Sequence, residues 1–232
     1  MSGGGVDVKL YAVQSSHAVR ATMLMLDHKG ISHRTVMLPV GAQRLLRLRG
    51  FPGGTVPALV LDGRKVQTNR AIARALEEVQ PEPPLFPREP DRRAAIEEAE
   101  RWADEKFQMP ARRLIFAAGM DWPGTLVDRG NDGRLGPLLW RTAWGRRLGL
   151  PGVRRLFNVN RATERELLDR LPAQLDRIDA WIAEGVLNGP ELYAADFAMA
   201  GSLALLTYRS DVRPEIEARP LGRLVDRLLP AP

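Results

Sequence analysis

The chain contains no cysteine. Thiolate catalysis, disulfide stabilisation and disulfide exchange all need a protein sulfur, so each is excluded and any thiol chemistry must belong to a bound molecule. Histidine is scarce: His17, His28 and His33 are the only ones. With only these three and no cysteine the sequence offers no metal site to argue for, and His28 and His33, either side of Gly30, read as surface residues. No metal is expected. No apolar run approaches the roughly 20 residues that cross a bilayer. The opening Met1-Ser2-Gly3-Gly4-Gly5 also lacks the basic and apolar regions of a secretion signal. A cytoplasmic location with no membrane partner is expected. Lysine is nearly missing, supplying four of the 34 basic residues. The arginines that remain give a net charge of +6 and a pI near 10.2. Their densest run extends from Arg141 through Arg146, Arg147, Arg154, Arg155, Arg161 and Arg165 to Arg170. Most stand on predicted helices among Asp and Glu, the pattern of a solvated face. No nucleic-acid-binding motif accompanies them, so nucleic acid is not expected as a partner.

What the chain does have is enough apolar residue for substantial cores: 44% of 232 residues. Val8 to Val13 reads as a buried strand, and from His17 to His28 apolar side chains recur at helical spacing through Val19, Met23 and Leu26. Gly30 ends that helix. Ser32 to Leu38 alternates as a second strand would. Ala58 to Leu61 and Lys65-Val66 flank Asp62-Gly63-Arg64, a hairpin turn signal, and Asn69 is placed to cap a helix reaching about Val79. The order is β-α-β-α-β-β-α.

Gly54-Thr55-Val56-Pro57-Ala58-Leu59 sets a proline at the mouth of an apolar strand. Proline removes a backbone donor and tolerates the cis bond, so at a strand start it can leave the preceding residue's N–H and C=O turned outward. Val56 would then be able to pair with an extended peptide. This Val-Pro at strand three, in that element order, resembles the glutathione transferase superfamily. The resemblance extends over the rest of the chain, because the proline-rich stretch Pro81 to Pro87 leads into a long helical half. It implies an N-terminal thioredoxin-like domain over residues 1–80, a linker over 81–90 and an all-helical bundle domain over 91–232, α/β followed by all-α.

In that family the sulfur of glutathione sits between the end of strand one and the start of helix one, where a Tyr, Ser or Cys stabilises the thiolate. A donor together with the positive end of a helix lowers a thiol's pKa. Aligned on Val19-Arg20, Val13 occupies the usual position of that side chain, and valine cannot donate. Ser15 and Ser16 follow two and three residues later. They are the candidate catalytic hydroxyls, Ser15 as donor and Ser16 as the residue suited to cap the helix. His17 can reach the same mouth, where a first-turn position depresses its pKa. The resemblance also implies glutathione contacts along Val56, Pro57, Gln67, Thr68 and Asn69. Family members carry Glu-Ser before Ala-Ile; this chain has Thr68-Asn69-Arg70-Ala71-Ile72. Asn69 keeps a polar residue and the helix N–H groups remain for a carboxylate. Thr68 brings no acid for the ligand's ammonium, a loss of about tenfold in affinity where a charge-assisted bond gives way to a neutral one. Gln67 or an acid of a dimer partner could substitute.

The helical half is expected to begin after Asp91, with Ile96, Ala99, Trp102, Ala103 and Phe107 on one side. Residues 119–136 read as a broken connection, followed by helices around 138–148 and from Arg161 to about Glu184. Leu192 to Ala200 resembles the family's buried helix, with Asp196 closing a capping box whose usual hydroxyl is replaced by Tyr193. Trp102, Phe107, Met109, Arg112, Arg113 and Phe116 are the residues placed to line a pocket between the domains. The function this implies is conjugation of glutathione, as co-substrate, or of a related thiol to an apolar electrophile by a homodimer. The alternative is a non-catalytic dimeric module for ligand or protein binding on the same fold.

Overall fold

A computed structural model describes residues 6–121, 155 and 157–230. The leader, the expected connection from 122 onward, the helix around 138–148 and Arg141, Arg146, Arg147 and Arg154 lie outside the described residues. In the N-terminal half, strands β1 (Val8–Val13), β2 (Arg34–Leu38), β3 (Ala58–Leu61) and β4 (Arg64–Gln67) form one sheet in the order β2-β1-β3-β4. β1 runs parallel to β2 and antiparallel to β3, and β3 antiparallel to β4. Asp62 and Gly63 make the two-residue hairpin between β3 and β4, both with positive φ (47° and 81°) as the twist of a tight hairpin demands.

Helix α1 (His17–His28) and helix α2 (Asn69–Val79) cover one face of the sheet, burying Leu10, Ala12, Leu26, Leu59, Ile72 and Leu76. Ser16 caps α1, its hydroxyl accepting from the Val19 N–H. Gly30, at φ +65°, closes it by bonding back to the Asp27 carbonyl. The connection between β2 and β3 is a 3-10 helix, Ala42–Arg49, whose single buried residue, Leu46, seals the opposite face with Tyr11, Phe51 and Ala58. Two starts differ from the sequence expectation. The cap of α2 is Thr68, whose hydroxyl accepts from the Ala71 N–H, and Asn69 is the first helical residue. Asn69 is instead drawn inward because its side chain finds a buried partner on α1.

The helical half contains α3 (Pro90–Trp102), one π-helical turn (Ala103–Phe107), α4 (Gln108–Asp121), α5 (Arg161–Ala183), α6 (Ala194–Leu206), α7 (Arg213–Ala218) and α8 (Pro220–Leu228). Glu89 caps α3 by accepting from the Asp91 and Arg92 N–H groups, so Asp91 lies inside the first turn rather than before it. α4 continues to Asp121, beyond the Gly119 at which the sequence suggested a break. α6 is buried almost throughout and forms the centre against which α1, α3, α4 and α8 pack. Its start is held by Asp196, which accepts from the backbone N–H groups of Tyr193 (2.8 Å) and Asn188 (2.6 Å). Tyr193 lends no side-chain cap bond, as expected where a phenol replaces a short hydroxyl. Burial pushes the Asp196 carboxyl up to about 6, against the opposing pull of those two bonds.

The two halves share an extensive junction. The Leu85 carbonyl accepts from the Ala194 N–H at 2.9 Å, joining the connector to α6. The His28 ring lies 5.2 Å from that of Phe197. Lys29, fully buried at its side chain, donates to Glu77 and to the carbonyls of Gln80 and Pro81, while Glu77 also accepts from the Leu85 N–H.

Candidate functional site

Strand register gathers the singled-out residues at one end of the sheet. In the β1–β3 ladder Tyr11 faces Ala58, the last pair before the Val56-Pro57 step, and β1 runs on two residues beyond it to Val13. In the β3–β4 hairpin Ala58 faces Gln67, and the next step sets Thr68 opposite Pro57, whose carbonyl accepts the Thr68 N–H at 3.4 Å. The end of β1, the Val56-Pro57 pair and the start of α2 therefore meet at a single edge. Thr22, in the second turn of α1, donates to Asn69 at 2.7 Å, fastening α1 to the first turn of α2.

The Val56–Pro57 bond is cis. β3 begins only at Ala58, and among the described residues no backbone hydrogen bond engages Val56. A peptide-like ligand could pair there without displacing a ladder bond. Beside it, Thr68 holds φ +77° and ψ 147°, a conformation that a β-branched residue adopts at a cost of about 1–3 kcal/mol and that glycine alone adopts freely. The cap leaves the Asn69 and Arg70 N–H groups without a partner among the described residues, the arrangement that receives a carboxylate.

Gln67 has a different position from that of a ligand contact. Its Oε1 accepts from the Gly53 N–H at 2.6 Å, and its Nε2 donates to the carbonyls of Gly53 (3.2 Å) and Thr55 (2.5 Å). Both amide hydrogens are engaged, so the side chain clamps the loop that delivers Val56 and has no donor left for a bound molecule. The Gly53-Gly54 pair is the sequence signal for this clamp: a Cβ on Gly53 would lie 3.0 Å from Gln67 Oε1, and one on Gly54 3.0 Å from the Arg44 backbone.

The loop between β1 and α1 is a tight turn closed by a 3.2 Å bond from the Ser16 N–H to the Val13 carbonyl, with Ser15 at its third position at φ +60°. Ser16 faces the helix it caps, accepting from Val19 at 3.4 Å. The next residue, His17, is buried, with Nε2 lacking any hydrogen-bond partner. Burial, and then the charge of Arg112, hold its pKa well below the usual histidine value, against hydrogen bonding with the Gln108 carbonyl. The imidazole is thus neutral, wedged between α1 and α4. Its backbone is fixed from α6: a Cβ on Gly201 would lie 2.7 Å from the His17 carbonyl oxygen.

The pocket-lining set divides. Phe107 is fully buried and stacks on Trp102 at 5.6 Å, and Trp102 meets Trp181 edge-on at 5.3 Å; both belong to the packing of α3 on α5. Met109, Arg112, Arg113 and Phe116 are partly buried on α4. The acids nearest the start of α2 come from the α3–α4 junction: Glu105 stands 3.4 Å and Glu100 4.0 Å from Arg70. Asp104 also feels the Arg70 charge, and burial raises its carboxyl above the ordinary range. Among the described residues no group of three or more His, Cys, Asp or Glu could hold a metal ion, and no helix is long and apolar enough to cross a membrane.

Comparison with known proteins agrees with this geometry. Residues 10–84 match the glutathione S-transferase N-terminal domain family. Among solved structures, FzlA from C. crescentus is 21% identical, with a TM-score of 0.66 over 96% of this chain and 87% of that one. A glutathione S-transferase from Rhodospirillum rubrum F11 is 23% identical, with a TM-score of 0.61 over 96% of this chain and 91% of its own. A glutathione S-transferase from Methylobacterium radiotolerans, in complex with glutathione sulfonate, is 20% identical, with a TM-score of 0.63 over 96% and 90%. At these identities the structural likeness establishes the fold, a thioredoxin-like sheet domain followed by a helical domain. No curated protein matches the chain significantly in sequence.

Proposed function

We propose that this chain, a member of the glutathione transferase superfamily by its N-terminal domain and its fold, binds glutathione along Val56, Thr68 and Asn69 and transfers its sulfur to an apolar electrophile beside Ser15. The observation that carries the reading is the pairing of an unengaged Val56 backbone with open N–H groups at the first turn of α2. An extended peptide with a carboxylate at one end fits that pairing. The thiolate would lie near the first turn of α1, whose partial positive charge favours the ionised sulfur. Related structures crystallised with glutathione or glutathione sulfonate support the choice of thiol. The absence of an acid at position 68 favours a modest affinity. We also infer a homodimer working in the cytoplasm, with its thioredoxin-like domain over 1–80 and its helical domain over 91–232; light scattering tests the assembly.

A second reading, a non-catalytic binding module, draws on Val13 at the donor position and on the Ser16 hydroxyl being committed to Val19. Calorimetric titration with glutathione, beside a Val56→Pro variant checked for folding by circular dichroism, separates binding from its absence. Saturable binding that the variant loses supports glutathione as ligand. No heat at millimolar glutathione overturns it in favour of another small thiol or the module. Turnover of an electrophile that falls in Ser15→Ala then decides between enzyme and module.

A further inference from the structure

Among the described arginines of the helical domain that are buried or half-buried, Arg209, Arg213 and Arg219 are paired with carboxylates. Arg209, 2% exposed, is held by Glu164, Asp211 and the Leu114 carbonyl, and Arg219 by Asp176, Asp179 and Glu215. Arg112 and Arg113 are the contrast. Both are partly buried on α4, and among the described residues neither meets a carboxylate. Arg113 Nε is buried with no hydrogen-bond partner. Burial draws the Arg112 pKa down, and no acid among the described residues acts on it to restore it. A cation kept from water and left uncompensated is costly, and a ligand's anion arriving beside it removes that cost.

The surroundings say what kind of anion fits. Arg112 is near enough for its charge to act on His17, which is neutral and buried, its Nε2 unpartnered, at the first turn of α1. The Arg112 guanidinium carbon lies 5.7 Å from the centre of the Phe157 ring, which is 5.0 Å from that of Phe116. Both rings are partly exposed. Aromatic surface with one unneutralised cation, reaching to the helix start beside the expected sulfur position, selects a flat apolar body with one negative group.

We propose that the second substrate is an aromatic or apolar electrophile bearing a carboxylate, seated on Arg112 beside the Phe116–Phe157 pair; this rests on the thiol-transfer reading above. The thiolate sulfur forms its bond to the electrophilic carbon, whose leaving group departs with the bonding electron pair. The carboxylate is unchanged and serves to orient.

The seat is tested without any thiol, by calorimetric titration of the full chain with para-nitrobenzoate and with its neutral counterpart para-nitrobenzamide. The benzoate is expected to bind at least about tenfold more tightly than the amide. Arg112→Met should lose that margin, and Arg112→Lys should keep part of it. Arg101→Met, at an exposed arginine of α3, should behave as the unaltered chain and shows that overall charge is not the cause. Equal affinity for benzoate and amide, benzoate binding unaltered in Arg112→Met, or no benzoate binding at all overturns the proposal. Glutathione titrated separately reports on the thiol site, so its failure there is told apart from failure here.

Discussion

At the scale of single residues, the site is marked by backbone conformations that its side chains do not favour. Thr68 sits where glycine belongs, at φ +77° and ψ 147°, yet its hydroxyl caps α2. Two effects of similar size oppose each other: strain of about 1–3 kcal/mol and a cap of about 1 kcal/mol. Thr68→Ala discards the cap and keeps the strain. Thr68→Gly removes the strain and gives up only a few tenths of the cap, against extra freedom in the unfolded chain. In urea denaturation the glycine variant is therefore expected to be more stable than the alanine variant by about 1–2 kcal/mol, and an alanine variant equal to or above it refutes the strain. The motif around Thr68 was legible in the sequence because Ala71-Ile72 follows at fixed spacing. Which residue caps was not legible: Thr68 and Asn69 are both good caps, and the choice is made by the distant Thr22, which draws Asn69 inward.

At the scale of elements, α1 is positioned as much by the helical domain as by its own sheet. The closest approach is at Gly201, where a Cβ would lie 2.7 Å from the His17 carbonyl oxygen and 3.8 Å from the Ala21 Cβ. The first of these is backbone and cannot rotate away. Gly201→Ala must push the start of α1 off α6, at a cost of about 1–3 kcal/mol. Thermal unfolding should show the loss, and glutathione affinity should fall with it, because the displaced turn carries Ser15 and Ser16. A variant with unchanged affinity would mean that the thiol site does not depend on this packing. Gly201 directly follows the stretch Leu192 to Ala200 that the sequence identified as the buried core helix, and a glycine there reads only as a helix-weakening residue. Its role exists only once α1 has been laid across it.

At the scale of the whole molecule, one buried cation joins three parts of the chain. Lys29 at the end of α1 meets Glu77 on α2 and the carbonyls of Gln80 and Pro81 that open the connector, and Glu77 binds the Leu85 N–H. Leu85 in turn bonds to the start of α6. Glu77→Gln leaves the ammonium buried without its counter-charge, a change that costs about 3–5 kcal/mol when a buried pair is broken from one side. It is expected to lower the denaturant midpoint markedly. Sheet and helix signals should still unfold together in the unaltered chain, since this junction is shared by both halves. Separate transitions in the unaltered chain would show that the tie does not couple them.

The amino-acid sequence by itself determined the order of strands and helices in the sheet domain, the fold class of α/β followed by helices, and the exclusion of protein thiol chemistry. These follow from local periods, from turn residues such as Asp62-Gly63 and Gly30, and from the missing cysteine, none of which needs a distant partner. Tertiary structure alone decided the roles within the site. Gln67 became a clamp because Gly53 and Thr55 come to face it. Asn69 became a tie because α1 brings Thr22 against it. Arg112 was left without an acid among the described residues because α4 sets it against the Phe157 ring. Hydrogen-bond satisfaction and charge compensation depend on which groups meet across tens of residues, and spacing along the chain does not encode that.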